Sequence, residues 1–259
     1  MKLIISPAKK MKTEDDFLAA ERLPPLLEQT EVLLEYLQSL SYEALKKLLC
    51  CNDSIAKLNF ERYQTMDLHR NLTPALLAYE GIQYQYMGPS VFTLKQFEYV
   101  QKHLRILSGF YGLLRPMDGV VPYRLEMQAK LKAPFCNNLY DFWGDRLFRL
   151  LAAEDDTLVN LASAEYSRAV LPYAEGRMQV VTPIFGEWVG DDIKEKGVFV
   201  KMARGEMVRF LAERNARSPQ EMKGFDRLGY RYHPEYSDDS TWMFLRQKQK
   251  KVRAEKRRK

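Results

Sequence analysis

The stretch HLRILSGFYGLLRPMDGVVPYRLEM, His103 to Met127, decides how this chain is read. An apolar run meets Gly109 and Gly112, and Arg105, Arg115 and Arg124 are strung along it. Glycine lets backbone come close to something, and arginine matches a planar anion. Two readings compete. As a helix–hairpin–helix, QFEYVQKHLRILS is the first helix and GFYG the hairpin, whose freed N–H groups would face a phosphate. The second helix would begin at LLRPMD, but Pro116, Gly119 and Pro122 break it soon afterwards. As a strand, Leu104, Ile106, Ser108 and Phe110 share one face, and a turn at Gly112 presents Arg115. Both readings make Gly109 and Gly112 points of close backbone approach.

Outward from this stretch, helices and strands interleave. KLIIS reads as a short buried strand ended by Pro7, and the following third is mainly helical. Leu26, Leu27, Val32, Leu33, Tyr36, Leu37 and Leu40 repeat at helical spacing. Ser41 is an N-cap, and Thr73-Pro74 reads as a cap followed by a first-turn proline. GIQYQYMG alternates with period two and predicts a half-buried strand. LKQFEYVQKHL predicts a helix, TLVNLA a strand and SAEYSRAV a short helix. MQVVTPIFGEWV and GVFVKM read as strands around a turn near Gly190-Asp191, and ARGEMVRFLAERNA as a helix. Ser218, Pro219 and Glu221 form a capping box, and GYRYHPEYS and TWMFLR a closing strand pair. The pattern predicts an α+β (mixed α/β) fold, one domain over residues 1–245.

Composition narrows the function. The chain has 259 residues, 46% hydrophobic, enough to bury a substantial core. Its longest apolar runs fall far short of the roughly 20 residues that cross a bilayer, and the N-terminus lacks a signal-peptide core. The expectation is a cytoplasmic protein with no membrane partner. Three cysteines, Cys50, Cys51 and Cys136, are no disulfide framework, and His69, His103 and His233 lie apart, so no metal or other cofactor is expected. The net charge of +6 is uneven. Residues 246–259 carry nine Lys/Arg and one Glu, against 31 Lys/Arg and 33 Asp/Glu elsewhere. The basicity is that of a tail, which adds salt-sensitive phosphate affinity or simply solubility.

Within the domain, candidate chemistry gathers in four places. Arg124 and Glu126 stand two apart, as an ion pair or as a general acid/base, Glu126, held by its partner. Asn160–Tyr166 ends a strand and opens a helix at Ser163. Lys201, Gly205 and Arg209 fall four apart with Arg204 beside them. Gly205 in that stripe reads as close approach of a sugar–phosphate backbone or of another helix. Lys9 and Lys10 follow the first strand, where function often resides.

Together LIISPAK, HLRILSGFYGLLRPMDGVVPYRLEM, LYDFWGD, NLASAEY, ARGEMVRFLAERN and PQEMKGF resemble the YaaA family of bacterial peroxide stress resistance proteins, over residues 2–246. The resemblance implies tolerance of hydrogen peroxide through limited free iron and less damage to DNA. It implies DNA binding, an α/β fold, a positively charged central cleft and a helix–hairpin–helix, at SGFYG or at PQEMKGFDRLGY. Carried over by position, Lys9, Arg105, Arg115, Arg124, Lys201, Arg204 and Arg209 are the expected cleft residues. The expected partner is double-stranded or distorted DNA, and the expected state a monomer. The competing reading is an enzyme acting on a nucleotide-like or phosphorylated substrate in the same cleft.

Overall fold

The computed structural model describes residues 1–13, 18–190 and 192–246. The basic tail after Arg246 and Asp191 of the expected turn lie outside them. Strand β1 (Lys2–Ile5) is fully buried. The short β2 (Lys10–Met11) follows. Helices α1 (Leu27–Ser39), α2 (Tyr42–Leu49) and α3 (Asp53–Thr65) come next. Their boundaries are chemical: Ser41 Oγ accepts the Ala44 N–H to open α2, and Asn52 Oδ1 accepts the Ile55 N–H to open α3. Then come β3 (Thr73–Pro74), α4 (Ala75–Ala78), β4 (Tyr79–Glu80), α5 (Ile82–Met87) and α6 (Leu94–His103). Helix α6, opened by a Thr93/Gln96 capping box, runs directly into β5 (Leu104–Ser108), which turns back as β6 (Gly112–Leu114). Strand β7 (Gly119–Val120) pairs with β3, and β2 with β4.

The second half supplies α7 (Leu139–Trp143), α8 (Arg146–Ala152), β8 (Thr157–Leu161), α9 (Ala164–Ser167) and α10 (Leu171–Ala174). It continues through β9 (Gln179–Val189), β10 (Asp192–Lys194), the long helix α11 (Gly197–Arg214), β11 (Tyr230–Tyr232) and β12 (Thr241–Arg246). The main sheet runs β11-β12-β9-β8-β1-β5-β6, with β10 added to β9. Strands β12, β9, β8, β1 and β5 are parallel, and the flanking β11, β6 and β10 are antiparallel. The mixed fold expected of the sequence is therefore present. The central β1 and β8 are almost wholly buried, as continuous Leu/Ile/Val runs require.

Strand β1 sends the chain to β5 on one side, and the chain later returns to β8 on the other. That divergence makes the carboxyl ends of β1 and β8 a topological switch point, where α/β sheets open a crevice.

Several local expectations need correction. His103–Met127 is not two helices around a hairpin: the strand reading of its first half holds, with the turn at Gly109–Tyr111 rather than at Gly112. The alternative segment, Pro219–Gly229, forms two short 3-10 turns, so neither stretch is a helix–hairpin–helix. GIQYQYMG is helix α5, not a strand; Gly88 at φ +63° ends it in the left-handed region. GVFVKM is the first part of α11; Thr73-Pro74 is strand β3, and the helix expected there, α4, starts one residue later at Ala75. β-branched and aromatic residues suit either element, and burial on several sides of α11 decided for helix.

Candidate cleft at the carboxyl ends of β1 and β8

The two loops at the switch point are tied together by serines. Ser6 Oγ accepts the Ser163 N–H at 2.8 Å and donates to Ser163 Oγ at 3.1 Å, while Tyr84 donates its hydroxyl to the Ser6 carbonyl. Above this tie lies a cleft of about 390 Å3, of the size that takes small ligands. Lys9 and Lys10 come from the loop after β1, Ser163 and Glu165 from the loop after β8, Gln83 and Tyr84 from α5, and Lys201 and Arg204 from α11.

Glu126 closes one side. Its Oε1 accepts Arg124 Nε at 2.6 Å and meets Lys9 Nζ at 3.2 Å. Arg124 and Glu126 are nearly covered, whereas the Lys9 side chain is 69% exposed. Both contacts are ion pairs, so the ion-pair role is the one the resting geometry displays. Gly109 explains why this stretch sits where it does. A Cβ there would collide with the Leu125 carbonyl oxygen and come within 2.9 Å of the Glu126 carbonyl carbon. Trp143 Nε1 donates to the Gly109 carbonyl, fixing the turn from the other side. Below it, Ser108 Oγ accepts the N–H groups of Phe110 and Tyr111 and joins a buried hydroxyl chain to Tyr123 and Tyr79. The glycines of the opening stretch thus admit this protein's own backbone and side chains.

The α5–α11 wall is built the same way. A Cβ on Gly205 would collide with the Gln83 carbonyl oxygen and lie 2.9 Å from Met87 N. Gly205 is buried against α5, which answers the choice left by the sequence in favour of helix packing. The close approach stands Gln83 and Arg204 on adjacent turns beside the cleft. Gln83 is only 7% exposed and its Nε2 has no protein partner; Arg204 Nε is also buried and unpartnered. Burial lowers the Arg204 pKa, with the charge of Glu195 acting in the opposite direction. Among the described residues, neither Lys201 nor Arg204 makes an ion pair within 4 Å.

Of the expected cleft residues, Lys9, Lys201 and Arg204 line it, and Arg124 braces Glu126 at its edge. Arg209 stands further along α11, bonded to Glu213 and packed on Gly88. Arg105 and Arg115 lie at the opposite end of the sheet. With Lys2 they surround Glu154, Arg105 Nη2 at 2.7 Å and Arg115 Nη2 at 3.2 Å. Gly112, at φ +73°, packs on Leu147, Trp143 and Leu26 away from the cleft lining. Sequence reasoning missed Gln83, because period-two alternation placed it on the solvent face of a strand. The bracketing glycines Gly81 and Gly88 were the available signal for a short helix. Among the described residues, no three His, Cys, Asp or Glu are grouped to hold a metal, and no helix is long and apolar enough to cross a membrane.

A family model described as peroxide stress protein YaaA matches residues 1–236. The chain is 57% identical over 246 residues to a UPF0246 protein of Desulfitobacterium hafniense (strain Y51), covering 95% of this chain and 98% of that one. It is 51% identical over 246 residues to a UPF0246 protein of Agathobacter rectalis, covering 95% and 99%. It is 49% identical over 246 residues to one of Pediococcus pentosaceus, covering 95% and 98%.

Proposed function

The chain belongs to the peroxide stress protein YaaA family, and from that membership we propose that it binds DNA during peroxide stress, protecting it and limiting free-iron damage, through the cleft at the ends of β1 and β8. The observation that supports this is the pair Lys201 and Arg204 on one wall, with Lys9 across from them. Lys201 and Arg204, which make no ion pair among the described residues, are set up to meet phosphate, whereas Lys9 would first have to leave Glu126. The small volume of the cleft fits one nucleotide of a distorted or single strand better than an intact duplex. The protein works as a soluble, monomeric, cytoplasmic DNA-binding chain in this reading.

The test is DNA binding across a salt series. Charge reversal at Lys201 and Arg204 abolishes binding while the far-ultraviolet spectrum stays unchanged. Loss of all binding on removing residues 247–259 alone, with the cleft intact, contradicts the proposal.

The second reading, an enzyme acting on a nucleotide-like or phosphorylated substrate, is favoured by Glu126 at the edge of the same cleft. An anion that draws Lys9 away would free Glu126 to act as acid or base. Turnover of a nucleotide that Glu126→Gln leaves unchanged rules that role out.

A further inference from the structure

We infer that the corner of the cleft between α5 and α11 is a built subsite for a phosphate monoester, a terminal phosphate carried either by a DNA end or by a free nucleotide. This rests on the nucleic-acid reading above but goes further, since a cleft for internal backbone needs no preference for a terminal group.

Three observations converge. Gln83 lines the cleft, is nine-tenths buried, and keeps an amide Nε2 without a partner. Arg204 lines the same corner with Nε buried and unpartnered, its charged form disfavoured by burial. Lys201, one turn earlier on α11, is exposed at the rim and makes no ion pair among the described residues. Buried donors are normally satisfied, so two unsatisfied ones on neighbouring residues that line one cleft mark the corner where acceptor atoms belong, reached by a small turn of the two side chains. Their positions are fixed by backbone: the Gly205–Gln83 contact locks α5 against α11.

The charge chooses the ligand. A phosphodiester brings one negative charge, whereas a monoester near pH 7 brings about −1.5 to −2 and three strong acceptor oxygens. Arg204 and Lys201 supply two positive charges, and Gln83 an additional neutral donor. The monoester therefore matches both the charge and the donor count, and a desolvated guanidinium gains most from the fuller charge. The remainder of the cleft is lined by Glu80, Glu126 and Glu165 together with Lys9 and Lys10, and those two lysines are already paired with Glu126 and Glu80, which disfavours a second phosphate there. A ligand with its single terminal phosphate in the α5–α11 corner and its neutral sugar and base beyond satisfies both halves.

The experiment is titration calorimetry of the full chain with four probes: inorganic phosphate, adenosine 5′-monophosphate, and one single-stranded DNA decamer with a 5′-phosphate or with a 5′-hydroxyl. The 5′-phosphorylated decamer binds at least tenfold tighter than its hydroxyl twin. Arg204→Gln and Gln83→Met each shrink that ratio to below threefold, and Lys201→Ala, at an exposed position, shrinks it without risk to the fold. Equal affinity of the two decamers overturns the subsite while leaving DNA binding standing. Binding of the mononucleotide and inorganic phosphate, with neither decamer bound, supports the subsite and removes the DNA reading.

Discussion

Gly205 of α11 lies against the backbone carbonyl of Gln83 in α5, so closely that no Cβ fits between them. The contact sets the separation of two helices whose neighbouring side chains, Arg204 and Gln83, form one corner of the cleft. Gly205→Ala forces the helices apart. Overpacking against backbone costs about 3 kcal/mol, and the corner widens with it. Chemical denaturation of the variant reports the loss, and ligand affinity falls in parallel. An unchanged midpoint contradicts the contact.

Arg204 is a cost to the unliganded fold: burial disfavours its charge, and no carboxylate lies within ion-pairing distance among the described residues. Arg204→Met keeps the long aliphatic stem and removes the desolvated charge. The variant is more stable than the parent by roughly 1–3 kcal/mol while losing anion binding, a trade of stability against function. Urea unfolding without ligand measures it. A destabilised Met variant makes Arg204 a structural residue.

Glu154 accepts Lys2 and Arg105 and pairs with Arg115 at the amino end of the sheet. Burial pushes its pKa up, but Arg105 and Lys2 together outweigh burial and hold the carboxyl below its ordinary value. Glu154→Gln leaves three cations facing one another and costs about 3 kcal/mol, with DNA binding per folded molecule unaltered because this cluster is remote from the cleft. Denaturation and binding together separate the two effects.

Asp118 is fully buried, accepts the Arg115 N–H at 2.8 Å, and burial pushes its pKa up to about 6 from 3.8. The folded state therefore holds this proton longer than the unfolded chain. Its contribution to stability is greatest below about pH 4 and is lost as pH rises through about 6, by roughly 2–3 kcal/mol. Glu154 and Asp155, with lowered pKa values, act in the opposite sense and at lower pH, losing stability as pH falls below about 4. Asp118→Asn keeps an acceptor for Arg115 and removes the slope between pH 4 and 6. Stability curves of parent and variant that run parallel across this window contradict the assignment.

Much of the sheet was legible because buried strands write themselves as apolar runs. KLIIS, TLVNLA, MQVVTPIFGEWV and TWMFLR are strands in the structure, and Ser41 is a side-chain cap. The errors fell on short amphipathic segments. Ile82–Met87 carries Ile, Tyr and Tyr two apart, yet Gln83, Tyr84 and Met87 are the buried residues, set by packing on α11. Helix α11 is buried on several sides, so its stripe of Lys201, Gly205 and Arg209 did not mark one solvent face. The lining of the candidate cleft was legible only in part. Lys9 was visible as a cation after a strand, and Lys201 and Arg204 as part of a basic helical stripe, but charge alone does not separate Arg204 from Arg105, whose counter-ion Glu154 is 49 residues away in the chain. Gln83 carries no sequence signal for its role; only the close helix contact creates it.

The measurement that bears most directly on the cleft is the salt dependence of binding to a 5′-phosphorylated single strand, compared between the full chain, a chain ending at Arg246, and the Lys201→Ala/Arg204→Gln double variant. Each phosphate contact on a single strand contributes about 0.7 to the slope of log affinity against log salt. The shortened chain keeps a measurable slope and most of the preference for the 5′-phosphate, and the double variant loses between one and two contacts' worth of slope together with that preference. A double variant that binds like the parent, beside a shortened chain that does not bind, would locate the affinity in the tail and contradict the account.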